Sequence, residues 1–150
     1  MTKTILLMGA PNVGKSAIFN RLTGLNVRVA NYTGTTVDYA GGTMKLGSEM
    51  IDLIDVPGTY SLCATCEAER VAVEMVCGRT GRDCPRTSPS AGCSDSRSVA
   101  TDPGQKPCLI VYVLDAGNFE AGLYLLLQLL ELKVPLLIAL NRGDLAREKG

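Results

Sequence analysis

A glycine-rich segment, Gly9-Ala10-Pro11-Asn12-Val13-Gly14-Lys15-Ser16, constrains this chain more than any other feature. It follows the apolar run Thr4–Met8, which reads as a buried strand. It runs into Lys15–Thr23, where Ile18, Phe19 and Leu22 recur at helical spacing before Gly24. A G-x-x-x-x-G-K-S pattern between a strand and a helix does specific work. The glycines let backbone N–H groups converge on phosphate oxygens, and the helix N-terminus adds the positive end of its dipole. Lys15 is placed to reach β- and γ-phosphates, and Ser16 to ligate Mg²⁺. Gly9, Ala10, Pro11, Asn12, Val13, Gly14, Lys15, Ser16 and Ala17 are therefore the candidate phosphate-binding residues.

The remaining pattern suits a strand–loop–helix unit of this kind. Val37–Leu46 and Glu49–Val56 read as strands joined at Gly47-Ser48. Ala68, Val71, Ala72, Met75 and Val76 share one face of an amphipathic helix. Leu109–Leu114 and Val134–Leu140, the latter with Pro135 near its start, read as strands flanking a leucine-rich helix over Asn118–Leu132. Alternating strands and helices predict an α/β protein: a mostly parallel sheet flanked by helices, in one domain spanning residues 1–150. The stretch Gly78–Pro107 breaks the pattern. Val99 is its only large aliphatic residue, so it reads as a flexible insertion with too little apolar surface to offset ordering.

Composition removes several function classes. Lys+Arg and Asp+Glu both total 15, and a chain held to nucleic acid by phosphate contacts usually carries a basic excess. No nucleic-acid partner is expected. Histidine is absent, which excludes Ser–His–Asp hydrolysis and His-containing metal sites. The longest apolar runs, Leu123–Leu127, Cys108–Leu114 and Val134–Leu140, fall short of the roughly 18–20 residues a span requires. The start of the chain lacks a signal peptide's apolar stretch and cleavage site. These features predict a cytoplasmic location and free thiols at the six cysteines. Cys63-Ala64-Thr65-Cys66 is a C-x-x-C without a second pair at similar spacing, so ordinary thiols are expected there and no metal site.

Two further motifs follow the phosphate loop in order. Asp55-Val56-Pro57-Gly58 closes a strand; its carboxylate can hold Mg²⁺ through water, and the Gly58 N–H can sense a γ-phosphate. Asn141-Arg142-Gly143-Asp144 follows the last strand. A carboxylate there accepts from guanine N1–H and the exocyclic amine, whereas adenine presents an acceptor and is repelled. Arg142 stands where N-K-x-D motifs carry lysine, and its stem can lie along the base. Between the first two motifs, Asn31–Val37 forms a polar loop where a nucleotide-sensing switch belongs. Thr36 is favoured over Thr35 as the hydroxyl that completes the Mg²⁺ shell. Thr59 occupies the position of the water-orienting glutamine of many GTPases, so hydrolysis should be slow.

The segments GAPNVGKSAIFNRLTG, NYTGTTV, DVPGTYSL and LLLQLLELKVPLLIALN resemble the N-terminal G domain of the ferrous iron transport protein B family over residues 3–77 and 108–147. The resemblance implies a Ras-like P-loop GTPase fold that stops at Gly150, before the family's last strand and helix. It implies a slow, Mg²⁺-dependent, potassium-stimulated GTPase acting on GTP to give GDP, with Asn12 helping to hold K⁺. Thr36 matches the family's switch threonine, and Asp55 and Gly58 its second switch. Implied partners are a guanine nucleotide and a downstream membrane permease, which could bring oligomerisation, at the cytoplasmic face of a bacterial inner membrane. The family's frequent methionine after Asn141 is Arg142 here. Two other readings share the phosphate loop: a soluble ribosome- or tRNA-associated GTPase, and a nucleotide-gated interaction module with little hydrolysis.

Overall fold

The structure, a computed structural model, describes residues 3–24, 27–32, 35–77 and 106–143. Its elements are β1 (Lys3–Gly9), α1 (Lys15–Thr23), β2 (Val27–Asn31), β3 (Asp38–Leu46), β4 (Glu49–Asp55), α2 (Glu67–Cys77), β5 (Leu109–Asp115), α3 (Phe119–Glu131) and β6 (Leu136–Asn141). The strands form a six-stranded sheet in the order β2-β3-β4-β1-β5-β6. β4, β1, β5 and β6 run parallel, and β2 and β3 extend the sheet antiparallel on the β4 side.

Parallel strands that end together create the site. Gly9, Asp55, Asp115 and Asn141 close β1, β4, β5 and β6 respectively, at one edge of the sheet. In this class of sheet, ligands bind outside the carboxyl ends of the strands. The alternation within β1 buries both of its faces. Ile5 and Leu7 join Phe19 of α1, Leu53 and Val113 in one cluster. Leu6 and Met8 join Ile54, Tyr112, and residues of α2 and α3 in the other. Helices on both faces of the sheet match the expected layering.

Gly122 sets how closely α3 approaches β5. A Cβ at that position would collide with the Leu114 side chain and lie 3.1 Å from the Tyr112 hydroxyl. That hydroxyl donates to Gly122 O at 2.7 Å, and burial pushes the phenol up to about 12.

Several sequence expectations are corrected. β2 went unanticipated: the sequence reading assigns no strand to residues 27–31, yet Val27–Asn31 pairs antiparallel with β3. It lies at the sheet edge, with Val29 exposed, so it lacks the apolar run of a central strand. Asn31 therefore belongs to a strand and not to the switch loop. Val37 and Val56 fall just outside their strands, although Val56 N still donates to Leu7 O at 3.0 Å. β6 begins at Leu136, after Pro135, which has no N–H to give the ladder. The proposed insertion lies outside the described residues over positions 78–105. Among the described residues, no helix is long and apolar enough to cross a membrane.

Candidate functional site

The phosphate loop is shaped by three close approaches. Gly9 passes Val113 so tightly that a Cβ would lie 2.6 Å from the Val113 carbonyl oxygen. Gly14 has φ +86°, and a Cβ there would also strike the Asn141 side chain. Gly58 approaches Pro11, whose Cα would be 3.0 Å from an added Cβ. Only glycine satisfies these positions without moving backbone. Asn12 takes φ 63°, a left-handed conformation that asparagine tolerates better than most residues. α1 then starts at Lys15, and Ile18 N donates to Gly14 O at 3.3 Å.

Loop and second switch meet at Asp55. The Lys15 ammonium pairs with Asp55 Oδ1, and the Ser16 hydroxyl donates to Asp55 Oδ2 at 3.1 Å. Both partners of the ion pair are about nine-tenths buried, with side-chain exposures of 10% and 9%. A buried pair of this kind is strongly destabilised when one partner is removed alone. The ammonium and the carboxylate satisfy each other. Ser16 Oγ and the Asp55 carboxylate are hard oxygen donors side by side, the set Mg²⁺ prefers.

Other candidates lie elsewhere in this arrangement. Thr36 Oγ1 donates to Glu67 Oε2 at 2.9 Å, and so faces the start of α2 and not Ser16. Thr35 Oγ1 donates to Tyr32 O at 3.0 Å. Thr59 N donates to Gly9 O at 3.2 Å, while its hydroxyl donates to Ser61 O at 2.8 Å. Glu69 organises the loop before α2: Ser61 Oγ donates to it at 2.6 Å, and Thr65 gives it both N–H and hydroxyl. These bonds, led by Ser61 and Thr65, hold the Glu69 carboxyl below the usual carboxylate range.

At the base end, Asn141 Nδ2 donates to Val13 O at 2.8 Å. Arg142 takes φ 60°, and its Nη1 donates to Asp115 Oδ2 at 3.0 Å. The guanidinium of Arg142, whose stem is expected along a base, is thus held at the end of β5. Asp144 and the last residues lie outside the described set. A cleft of about 210 Å³ runs along the α3 side of the loop, lined by Pro11, Asn12, Tyr60, Asp115, Asn118 and Arg142 among others. It borders the loop tip; Lys15, Ser16 and Asp55 are not among its lining residues and contact one another.

Sequence reasoning missed Glu67, Glu69 and Asp115 as parts of this region. Among the described residues, no group of three or more metal-ligating side chains forms a cluster, and Cys63, Cys66 and Cys108 are free thiols.

Comparison with known proteins agrees with this geometry. The family described as ferrous iron transport protein B matches residues 3–84 and 90–150. The Fe(2+) transporter FeoB of Leptospira biflexa is 33% identical over 147 residues, covering 98% of this chain but 18% of that protein. This chain thus spans under a fifth of that relative's length. The crystal structure of the G domain of the T. maritima FeoB iron transporter aligns with TM-score 0.76 and 32% identity, over 99% of this chain and 77% of that one. The cytosolic domain of the same transporter, in its GMPPNP form, aligns with TM-score 0.76 and 32% identity over 99% of this chain and 49% of that one. A P-loop GTPase fold with these relatives along nearly its whole length leaves one placement: the chain belongs to the ferrous iron transport protein B family.

Proposed function

We propose that this chain is the guanine-nucleotide-binding domain of a ferrous iron transporter, taking up GTP with Mg²⁺ and hydrolysing it slowly to GDP and phosphate. One observation carries the reading: Lys15, Ser16 and Asp55 converge at the carboxyl ends of β1 and β4, beside a loop that only glycine can shape. When nucleotide arrives, Lys15 leaves Asp55 for the β- and γ-phosphates. Ser16 and Asp55, directly or through water, hold Mg²⁺, whose charge offsets that of the phosphates. Thr36 exchanges Glu67 for the same site. The Gly58 N–H, held against Pro11, senses the γ-phosphate. Catalysis is mainly positioning and charge neutralisation during in-line attack by water. Asn12 offers a carbonyl oxygen from the loop tip for K⁺, which sheds its hydration shell more readily than Na⁺. A permease downstream and a position at the cytoplasmic face of the membrane complete the reading.

The test compares GTP with ATP for binding, then initial hydrolysis rates in matched KCl and NaCl for the parent and Asn12→Ala. Preference for GTP, and potassium stimulation lost in Asn12→Ala, are expected. Asp144→Asn should move preference toward xanthine nucleotides, because an amide donates where guanine's amine was. Unchanged GTP affinity in that variant removes the base assignment. A second reading, a nucleotide-gated module with little hydrolysis, is favoured by the Thr59 hydroxyl, which is committed to Ser61 O. Single-turnover hydrolysis separates the two.

A further inference from the structure

The residue after Asn141 departs from both the lysine of the common guanine motif and the methionine frequent in the family. The structure shows what accompanies that change. Asp115 and Asn141 are register partners at the ends of β5 and β6, and Ala116 N donates to Asn141 O at 2.9 Å. The two strand ends are thus one unit, from which Arg142 departs. Arg142 leaves this unit with a left-handed backbone, φ 60°. Its guanidinium returns across the strand ends to Asp115 Oδ2 at 3.0 Å. The Asp115 side chain is largely buried, at 14% exposure, while Arg142 is at 45%. The buried carboxylate is the fixed partner and the arginine the held one. Asp115 Oδ1 also accepts from Gly117 N at 2.8 Å, which fixes the carboxylate's orientation.

We infer that Asp115 is a positioning residue for guanine recognition, acting through Arg142 to hold the stem of that side chain. This rests on the guanine-nucleotide reading above. An arginine in place of an apolar residue brings a long, mobile, charged side chain to the base end of the site. An unanchored guanidinium can swing toward phosphate or solvent. Anchored on Asp115, its charge is offset and its methylenes are held as an apolar platform.

The rival explanation is that Asp115 only shapes the β5–α3 turn through Gly117. A double-mutant cycle distinguishes the two. Binding of Mg²⁺ and fluorescent mant-GDP is measured for the parent, Asp115→Asn, Arg142→Met and the double variant, with inorganic tripolyphosphate as a base-free competitor. Asp115→Asn is expected to weaken mant-GDP about tenfold, the size of a lost charge-assisted hydrogen bond, and to leave tripolyphosphate binding unchanged. In the Arg142→Met background the same substitution should change binding by less than about twofold, because the side chain it restrains is gone. Equal loss in both backgrounds, equal loss for tripolyphosphate, or no loss at all overturns the inference while leaving the nucleotide reading intact. Absence of mant-GDP binding by the parent overturns both. Should Asp115→Asn fail to fold, Arg142→Gln removes the same bond from the other side and must show the same base-selective loss.

Discussion

The side-chain amide of Asn141 donates to the main-chain carbonyl of Val13 at 2.8 Å, joining the end of β6 to the middle of the phosphate loop. The same amide nitrogen fills the space where a side chain on Gly14 would go. A residue assigned from sequence to the base is therefore also a strut for the phosphate end. Asn141→Ala should loosen the loop and leave the Val13 carbonyl without this donor. A net loss of about 1 kcal/mol, near fivefold in affinity, is expected for GDP and for base-free tripolyphosphate alike. Titration with both ligands checks it: a loss confined to GDP means that the strut is unimportant.

On the proposed reading, nucleotide and metal must part the ion pair between Lys15 and Asp55. Mg²⁺ alone then faces a carboxylate already neutralised by an ammonium and should not raise the melting temperature. Mg²⁺ with GDP should raise it, by the equivalent of about 2.7 kcal/mol at one hundred times the dissociation constant. Chelation of Mg²⁺ should speed GDP release. Thermal unfolding with each component separately gives the answer, and stabilisation by Mg²⁺ alone would contradict the arrangement.

On the proposed reading Thr36 exchanges Glu67 for the metal, so their hydrogen bond should oppose nucleotide-triphosphate binding. Glu67→Ala removes it. Affinity for a non-hydrolysable GTP analogue should rise about threefold to fivefold, matching a bond of about 1 kcal/mol or slightly less. GDP affinity should stay the same, since the switch threonine answers to the γ-phosphate. A parallel rise for both nucleotides would show that Glu67 acts on the site generally.

Cys63 differs chemically from an ordinary exposed thiol. Hydrogen bonding to the Tyr124 hydroxyl, then to Ser61 and Gln128, holds its thiol below the usual cysteine range. A lowered value puts thiolate in solution at lower pH, so alkylation by iodoacetamide should begin to accelerate below the pH at which a free cysteine does. Tyr124→Phe removes the largest contribution and should slow labelling near neutral pH. Mass mapping of the tryptic peptide from Leu46 to Arg70 isolates Cys63 and Cys66 from the other four cysteines. An unchanged pH profile in Tyr124→Phe would show that the contact is incidental.

The legible parts of this molecule are those with a pattern. The phosphate loop shows itself because Gly9, Gly14 and Gly58 stand where chain approaches chain, and their spacing from Lys15 and Asp55 is fixed by that geometry. Central strands show as apolar runs because both faces are buried. β2 escaped because an edge strand with exposed Arg28 and Val29 has little reason to look apolar. Glu67 and Asp115 escaped for another reason: each acts through one contact with a residue distant in sequence, and a single charged side chain carries no period. Asp115 did offer a clue. Like Asp55, it closes a buried strand at the carboxyl edge of the sheet, and that position alone marks a carboxylate as worth following.

Among the described residues, β6 is the outermost strand on its side of the sheet, with Leu137, Ile138 and Leu140 exposed at 54%, 49% and 62%. An apolar strand at such an edge offers an arriving extended segment both hydrogen-bonding groups and grease, which favours association. The handling properties of this stretch of polypeptide then depend on concentration as much as on sequence. Sedimentation of the chain should show association that rises with protein concentration and recedes on Leu137→Lys, which sets a charge on that edge.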